Sequence, residues 1–169
     1  ASFDPDLQFR MGEEVGLQAL IVGLPILWGP GLNTHRMAYN GRNGDYYSED
    51  PILTGNTGME FAIGAFKYGL LASPKHFAFN DQETNRGGIA PFMTEQRARE
   101  IELRAFQIPM EANKYNETAP DYWTGDPEHD FGMRGMMTSF SKIGAVECTS
   151  SKGLVTDIAR NEWGFVGYV

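Results

Sequence analysis

The sequence predicts an α/β fold in which parallel strands are joined by helical crossovers. Two observations carry this. Segments with apolar residues at spacings of three and four alternate with short apolar runs, the pattern of strand and crossover helix. Each apolar run also opens into a polar loop, and that end of the strands is where barrel and doubly wound folds carry their sites. The 169 residues are 41% hydrophobic and 12% aromatic, enough for one packed domain. The net charge of −8 argues against nucleic acid and anionic membrane as partners, since both require a basic face. No apolar run is long enough to span a bilayer, and Ala1 does not open a signal-peptide pattern. Cys148, alone, forms no internal disulfide, and the compartment stays open.

The elements follow in order. Asp4 is placed to cap a first helix with Pro5 at its first position. Leu7, Met11, Val15, Ala19 and Val22 make one apolar stripe, assigned to the core, and Gly23 and Pro25 end the helix. Ile26-Leu27-Trp28 reads as a buried strand, followed by a long polar and aromatic segment from Asn33 to Pro51. A second helix is expected from about Asn56 to Tyr68, with Gly69 at its C-terminal end. Leu70 to Ala72 is the next strand. Thr94 caps a third helix with Ala98, Ile101, Ala105 and Phe106 inward, and Arg97, Arg99, Glu100 and Glu102 in solvent. Residues 113–129 read as a loop, with Tyr122 and Trp123 packing on a neighbour in preference to a ligand. The Asn116-Glu117-Thr118 sequon within it is short enough to arise by chance. Gly135 to Ser139 is a strand, and Ser150 or Ser151 caps a helix with Leu154, Val155, Ile158, Ala159 and Trp163 inward. Gly164 terminates it, and Phe165 to Val169 begins another apolar run.

The stretch from Gly69 to Arg86 holds the strongest chemical signal. An apolar run leads to adjacent Lys75 and His76, then to Asn80, Gln82, Glu83 and Asn85. Lysine offers three donors and histidine both donates and accepts, a grip suited to hydroxyls; a solvated turn with an ordinary charge pair is the competing reading. The 33–51 segment sets aromatics beside Arg42 and carboxylates, which suits a sugar with stacking faces and paired hydroxyls. A surface excursion pinned by internal ion pairs is the better reading for Glu49 and Asp50, but not for Arg42. No glycine-rich phosphate loop, no Gly-x-Ser-x-Gly and no metal-ligand spacing among His35, His76, His129 and Cys148 is present. No cofactor or metal is expected.

The motif series resembles glycoside hydrolase family 3, in its β-glucosidase-like branch. The blocks are Gly41-Arg42-Asn43 leading to Ser48-Glu49-Asp50-Pro51, Lys75-His76-Phe77 through Asn80, Gln82-Glu83 and Asn85-Arg86, then Met137-Thr138-Ser139 and Glu162-Trp163-Gly164-Phe165. They stand in family order over most of the chain. The resemblance implies a (β/α)8 TIM-type barrel, of which residues 1–169 would be about half, a single incomplete domain truncated at both ends. It implies retaining hydrolysis of non-reducing-end β-glucosides, a carbohydrate substrate, and sugar-holding roles for Arg42, Lys75 and His76, with Met137 lining the same pocket. Phe140 stands where the family has a tyrosine, Ser141 where it has an asparagine, and Gly44 replaces an aromatic. The loop after His76-Phe77 departs from the pattern of the N-acetylglucosaminidase branch. The nucleophilic aspartate is expected after Val169 and the acid/base carboxyl in a further domain.

Three readings follow. The chain is part of a hydrolase and is inactive alone; or it is a sugar-binding module without catalysis; or it is a structural half-barrel. An eight-stranded barrel needs about 250 residues, so a half-barrel would associate through its open edges with a second copy or with further domains.

Overall fold

The computed structural model describes residues 2–114 and 133–169. The expected 113–129 loop begins inside a helix; Tyr122, Trp123, His129 and the sequon lie outside the described residues.

Helix α1 (Pro5–Val22) starts as its sequence dictates. The Asp4 side chain accepts from the Leu7 amide, and Gly23 closes the helix at φ 75°, a left-handed conformation that glycine adopts without steric cost. Its buried face is only in part the expected one: Ala19 is buried and Val15 packs against its cluster, as expected. Gln8, Gly12, Gly16 and Ala19 are buried, whereas Leu7, Met11 and Val22 are exposed. The reason is close backbone packing on α2 (Pro51–Phe66). A Cβ at Gly16 would lie 2.5 Å from the Ala65 carbonyl oxygen, and one at Gly64 would collide with that of Phe9. The glycine-bearing face is therefore the one that can approach. Helix α2 begins five residues before the expected Asn56, because Asp50 accepts from the Ile52 and Leu53 amides and Pro51 occupies the first turn.

Strand β1 (Ile26–Leu27) pairs in parallel with β2 (Leu71–Ala72), in register Ile26 to Leu71. Further parallel bridges join Gly31 to Lys75, Ala72 to Met133, Phe77 to Thr138 and Gly135 to Tyr168. Four consecutive stretches of chain thus lie side by side in sequence order, each joined to the next through a helical segment. That is the arc of a (β/α) barrel. The first stretch is not buried as expected: Ile26 is 39% and Trp28 51% exposed, since β1 pairs only with β2 among the described residues.

Between the second and third stretches runs a helix in three parts: α3 (Glu95–Arg97), a π turn (Ala98–Glu102) and α4 (Arg104–Lys114). Thr94 caps it by accepting from the Arg97 amide. Ala98, Ala105 and Phe106 face inward as expected. Glu102 does too, at 1% exposed, against the expectation of a solvated side chain. It sits four residues after Ala98 and four before Phe106, in phase with the apolar face. A hairpin of β3 (Lys142–Ile143) and β4 (Val146–Glu147) turns at Gly144; the sequence reading did not foresee it. A π-helical segment (Gly153–Glu162) follows, with Ser151 Oγ accepting from the Leu154 amide and Gly164 at φ 74°. Leu154, Ala159 and Trp163 are buried as expected.

The core beneath the strand ends is aromatic. Phe77 meets Phe106 and Trp163 edge-on at centroid distances of 5.3 and 5.9 Å, with Leu32, Phe79 and Met136 around them. Phe77 follows His76 directly, so this packing anchors the strand end that carries Lys75 and His76.

Candidate functional site

Two loops build the site, one from residues 33–50 and one from residues 75–86. A buried network joins them. Arg36 pairs with Asp81, Asn40 Nδ2 donates to Asp81 at 2.8 Å, and Arg36 Nε lies 3.8 Å from Glu102. Arg97 reaches Glu102 at 3.3 Å. Burial raises the Glu102 carboxyl above its usual range, with Arg36 and Arg97 opposing it. Asn33 makes a reciprocal pair with the His76 backbone: its Oδ1 accepts from the amide at 2.8 Å and its Nδ2 donates to the carbonyl at 3.0 Å.

On this frame Arg42 and His76 converge. Arg42 Nη2 lies 3.5 Å from His76 Nε2 and donates to Asp45 at 2.7 Å; Nη1 donates to Glu83 at 2.7 Å. Burial alone would lower the Arg42 guanidinium, but Tyr46, Asp45 and Glu83 outweigh it and raise its pKa. Burial first, then the charges of Arg42 and Lys75, push His76 down to about 4, so its ring is neutral at pH 7.

The tautomer follows from proton counting. The Tyr46 hydroxyl donates its one proton to the Asn80 carbonyl oxygen at 2.5 Å. It can therefore only accept from His76 Nδ1, 3.1 Å away. Nδ1 carries the proton, and Nε2 presents a lone pair beside the Arg42 guanidinium. Burial also pushes the Tyr46 hydroxyl up to about 12, so it stays protonated.

Lys75 lies beside this group. Its backbone bridges to Gly31, and it lines a cavity of about 340 Å³ with Trp28, Asp45, Tyr46, Tyr47 and Phe61. Its ammonium makes no side-chain hydrogen bond among the described residues. Met137 is adjacent through the backbone: the Phe77 amide donates to its carbonyl and its own amide donates to that of Pro74. Phe140 stands apart. The residue is 67% exposed and its ring lies 4.9 Å beneath the Arg86 guanidinium, linked to Arg42 through Arg86 and Glu83. Of the five residues singled out from sequence, the fold brings Arg42, His76 and Lys75 together, sets Met137 alongside, and leaves Phe140 on the rim. Sequence reasoning did not pick out Tyr46, Asp81 or Glu102. Tyr46 and Asp81 lay within the polar stretches it flagged; Glu102 gave itself away only by helical phase.

Chemically the group offers several fixed donors and one neutral nitrogen acceptor, at a rim carrying two carboxylates. That combination suits a polyhydroxylated neutral molecule.

Comparison with known proteins bears on this. Residues 1–119 match the glycosyl hydrolase family 3 N-terminal domain. The chain is 31% identical over 169 residues to a probable beta-glucosidase J of Emericella nidulans, covering all of this chain and 18% of that protein. It is 34% identical over 168 residues to a beta-glucosidase of Ruminococcus albus, covering 99% of this chain and 16% of that one. It superposes on the structure of beta-glucosidase 3B from Thermotoga neapolitana in complex with alpha-D-glucose with a TM-score of 0.85 at 31% identity, covering 98% of this chain and 21% of that one. The chain therefore spans less than a fifth of the length of these curated relatives.

Proposed function

Because this chain belongs to glycosyl hydrolase family 3, matching its N-terminal domain, we propose that it forms part of the sugar subsite of a retaining β-glucosidase-type hydrolase. Arg42, Lys75 and His76 hold hydroxyls of a non-reducing-end β-glucoside, Met137 lines the same subsite, and Phe140 sits at its rim. The observation that carries this reading is the 3.5 Å approach of Arg42 to His76, whose ring also feels the charge of Lys75.

Retaining hydrolysis requires a nucleophilic carboxylate and a carboxyl acid about 5–5.5 Å apart. Asp45 and Glu83 are both ion-paired to Arg42, and neither is assigned those roles. The part of this chain is to bind and orient. His76, neutral and protonated on Nδ1, accepts from a sugar hydroxyl at Nε2 in place of the 3.5 Å contact with Arg42 Nη2, while Arg42 and Lys75 donate. Fixing the ring in this way aligns the anomeric carbon for attack.

Calorimetric titration with glucose and gluconolactone tests the reading. Binding to the 169-residue chain should fall about tenfold or more in Arg42→Ala and Lys75→Ala, the scale of a charge-assisted hydrogen bond. The chain alone should not turn over an aryl β-glucoside. Absence of sugar binding, or turnover abolished by a substitution within the chain, would refute it.

A second reading, a half-barrel that binds sugar or serves as scaffold only after associating, is favoured by the exposed β1 edge with Trp28. Sedimentation equilibrium separates the two: a monomer that melts cooperatively excludes obligatory association.

A further inference from the structure

The Glu83 carboxylate lies between two guanidiniums. Its Oε2 accepts from Arg42 Nη1 at 2.7 Å and from Arg86 Nη1 at 3.4 Å, and its Oε1 lies 3.4 Å from Arg86 Nε. Both arginines are held independently of Glu83. Arg42 is fixed by Asp45 at 2.7 Å, and Arg86 lies 4.9 Å over the Phe140 ring. Lys75 adds a third positive charge next to His76. With Glu83 removed, two converging guanidinium forks would remain, a geometry that matches carboxylate and phosphate oxygens. The Glu83 side chain is about half exposed, so solvent and ligands reach the position it fills.

We propose that Glu83 is a specificity-determining residue: it occupies the anion slot between Arg42 and Arg86, and so excludes sugar acids and sugar phosphates while admitting neutral glycosides. This rests on the sugar-subsite reading above. An anionic sugar entering the site must either displace Glu83 from two charge-assisted hydrogen bonds or sit against a like charge. A neutral sugar does neither, because hydroxyls can accept from the guanidinium edges and donate to the carboxylate.

The test compares the wild-type chain with Glu83→Gln, which keeps the shape and removes the charge. Glu83→Ala serves as a second variant, and Glu14→Gln, on the exposed face of α1, controls for net charge. Each is titrated calorimetrically with sulfate, glucuronate and glucose, with thermal melts to check folding. Both Glu83 variants should bind sulfate about tenfold more tightly than wild type or Glu14→Gln, a gain that weakens at high ionic strength. The affinity of glucuronate relative to glucose should rise by a similar factor. Folded Glu83 variants with wild-type sulfate affinity would overturn the assignment, as would a wild-type chain that binds glucuronate as well as glucose. The sulfate comparison decides the role of Glu83 even if glucose does not bind; that failure would count against the sugar reading alone.

Discussion

His76 Nδ1 stands 3.1 Å from the hydroxyl of Tyr46, whose own proton goes to the Asn80 carbonyl oxygen. This relationship sets the chemistry of the site. The buried tyrosine consumes one face of the imidazole, and the other face is left as an acceptor among cations.

A titration follows from it. His76 is pushed down to about 4 by burial and by Arg42 and Lys75, below the ordinary value near 6.5. The unfolded chain takes up a proton below about pH 6.5, whereas the native ring refuses it until about 4. The stability from the neutral ring is present above 6.5 and is lost as pH falls through that window. Since the ring is only half-buried, the loss should be about 1–2 kcal/mol. Urea midpoints of wild type and His76→Gln between pH 8 and 4.5 measure it: only wild type should carry this loss. In NMR spectra the His76 ring signals should stay constant from pH 8 to 5.5.

Removing the tyrosine hydroxyl isolates the same pair. In Tyr46→Phe the Asn80 carbonyl loses its donor and His76 Nδ1–H its acceptor, both in buried or half-buried surroundings. The cost should be about 1–3 kcal/mol in urea melts. The imidazole then no longer has a fixed tautomer, so glucose affinity should fall more than stability alone explains. Calorimetry at a temperature well below the transition separates the two effects.

The buried network predicts an asymmetry between two acids. Asp81 accepts from both Arg36 and Asn40 and is nearly fully buried. Asp81→Asn keeps one oxygen acceptor but leaves Glu102, at 3.8 Å, as the one carboxylate paired with Arg36 among the described residues, and its amide nitrogen faces donors, so it should cost about 3 kcal/mol. Glu102 is different, because burial outweighs Arg36 and Arg97 and disfavours its charge. Glu102→Gln should change stability by less than about 1 kcal/mol. Equal losses in the two variants, by urea denaturation, would contradict this account.

Much of this architecture was legible in the sequence. Asp4-Pro5 and Gly23 mark both ends of α1, and the succession of parallel stretches follows from alternating apolar runs and helices. Arg42 and Lys75-His76 stand out in the sequence by residue type alone, without reference to their proximity. What was not legible depended on distant partners. Glu102 looks like a solvated residue until Arg36, 66 positions earlier, is placed against it. Asp50-Pro51 carries the same start signal as Asp4-Pro5, yet the apolar spacing further along drew the expected boundary inward. The buried face of α1 follows the expected stripe only at Val15 and Ala19, because hydrophobicity marks what gains from burial, while glycine marks what permits contact.

That last distinction yields a direct comparison on α1 and α2. A methyl group at Gly64 would meet the Phe9 carbonyl oxygen and come within 3.0 Å of the Glu13 amide. Both are helix backbone and cannot give way without separating the helices. Gly64→Ala gains about 1 kcal/mol in helix propensity, but the overpacking costs about 1–3 kcal/mol or more, so the net effect should be destabilising. Leu20 on α1 is 58% exposed, and Leu20→Ala should stay within about 0.5 kcal/mol of wild type. If the large apolar residues held α1 in place, the order would be reversed. Urea midpoints for the two variants, measured side by side, choose between a helix held by its leucines and one held by the close approach of its glycines.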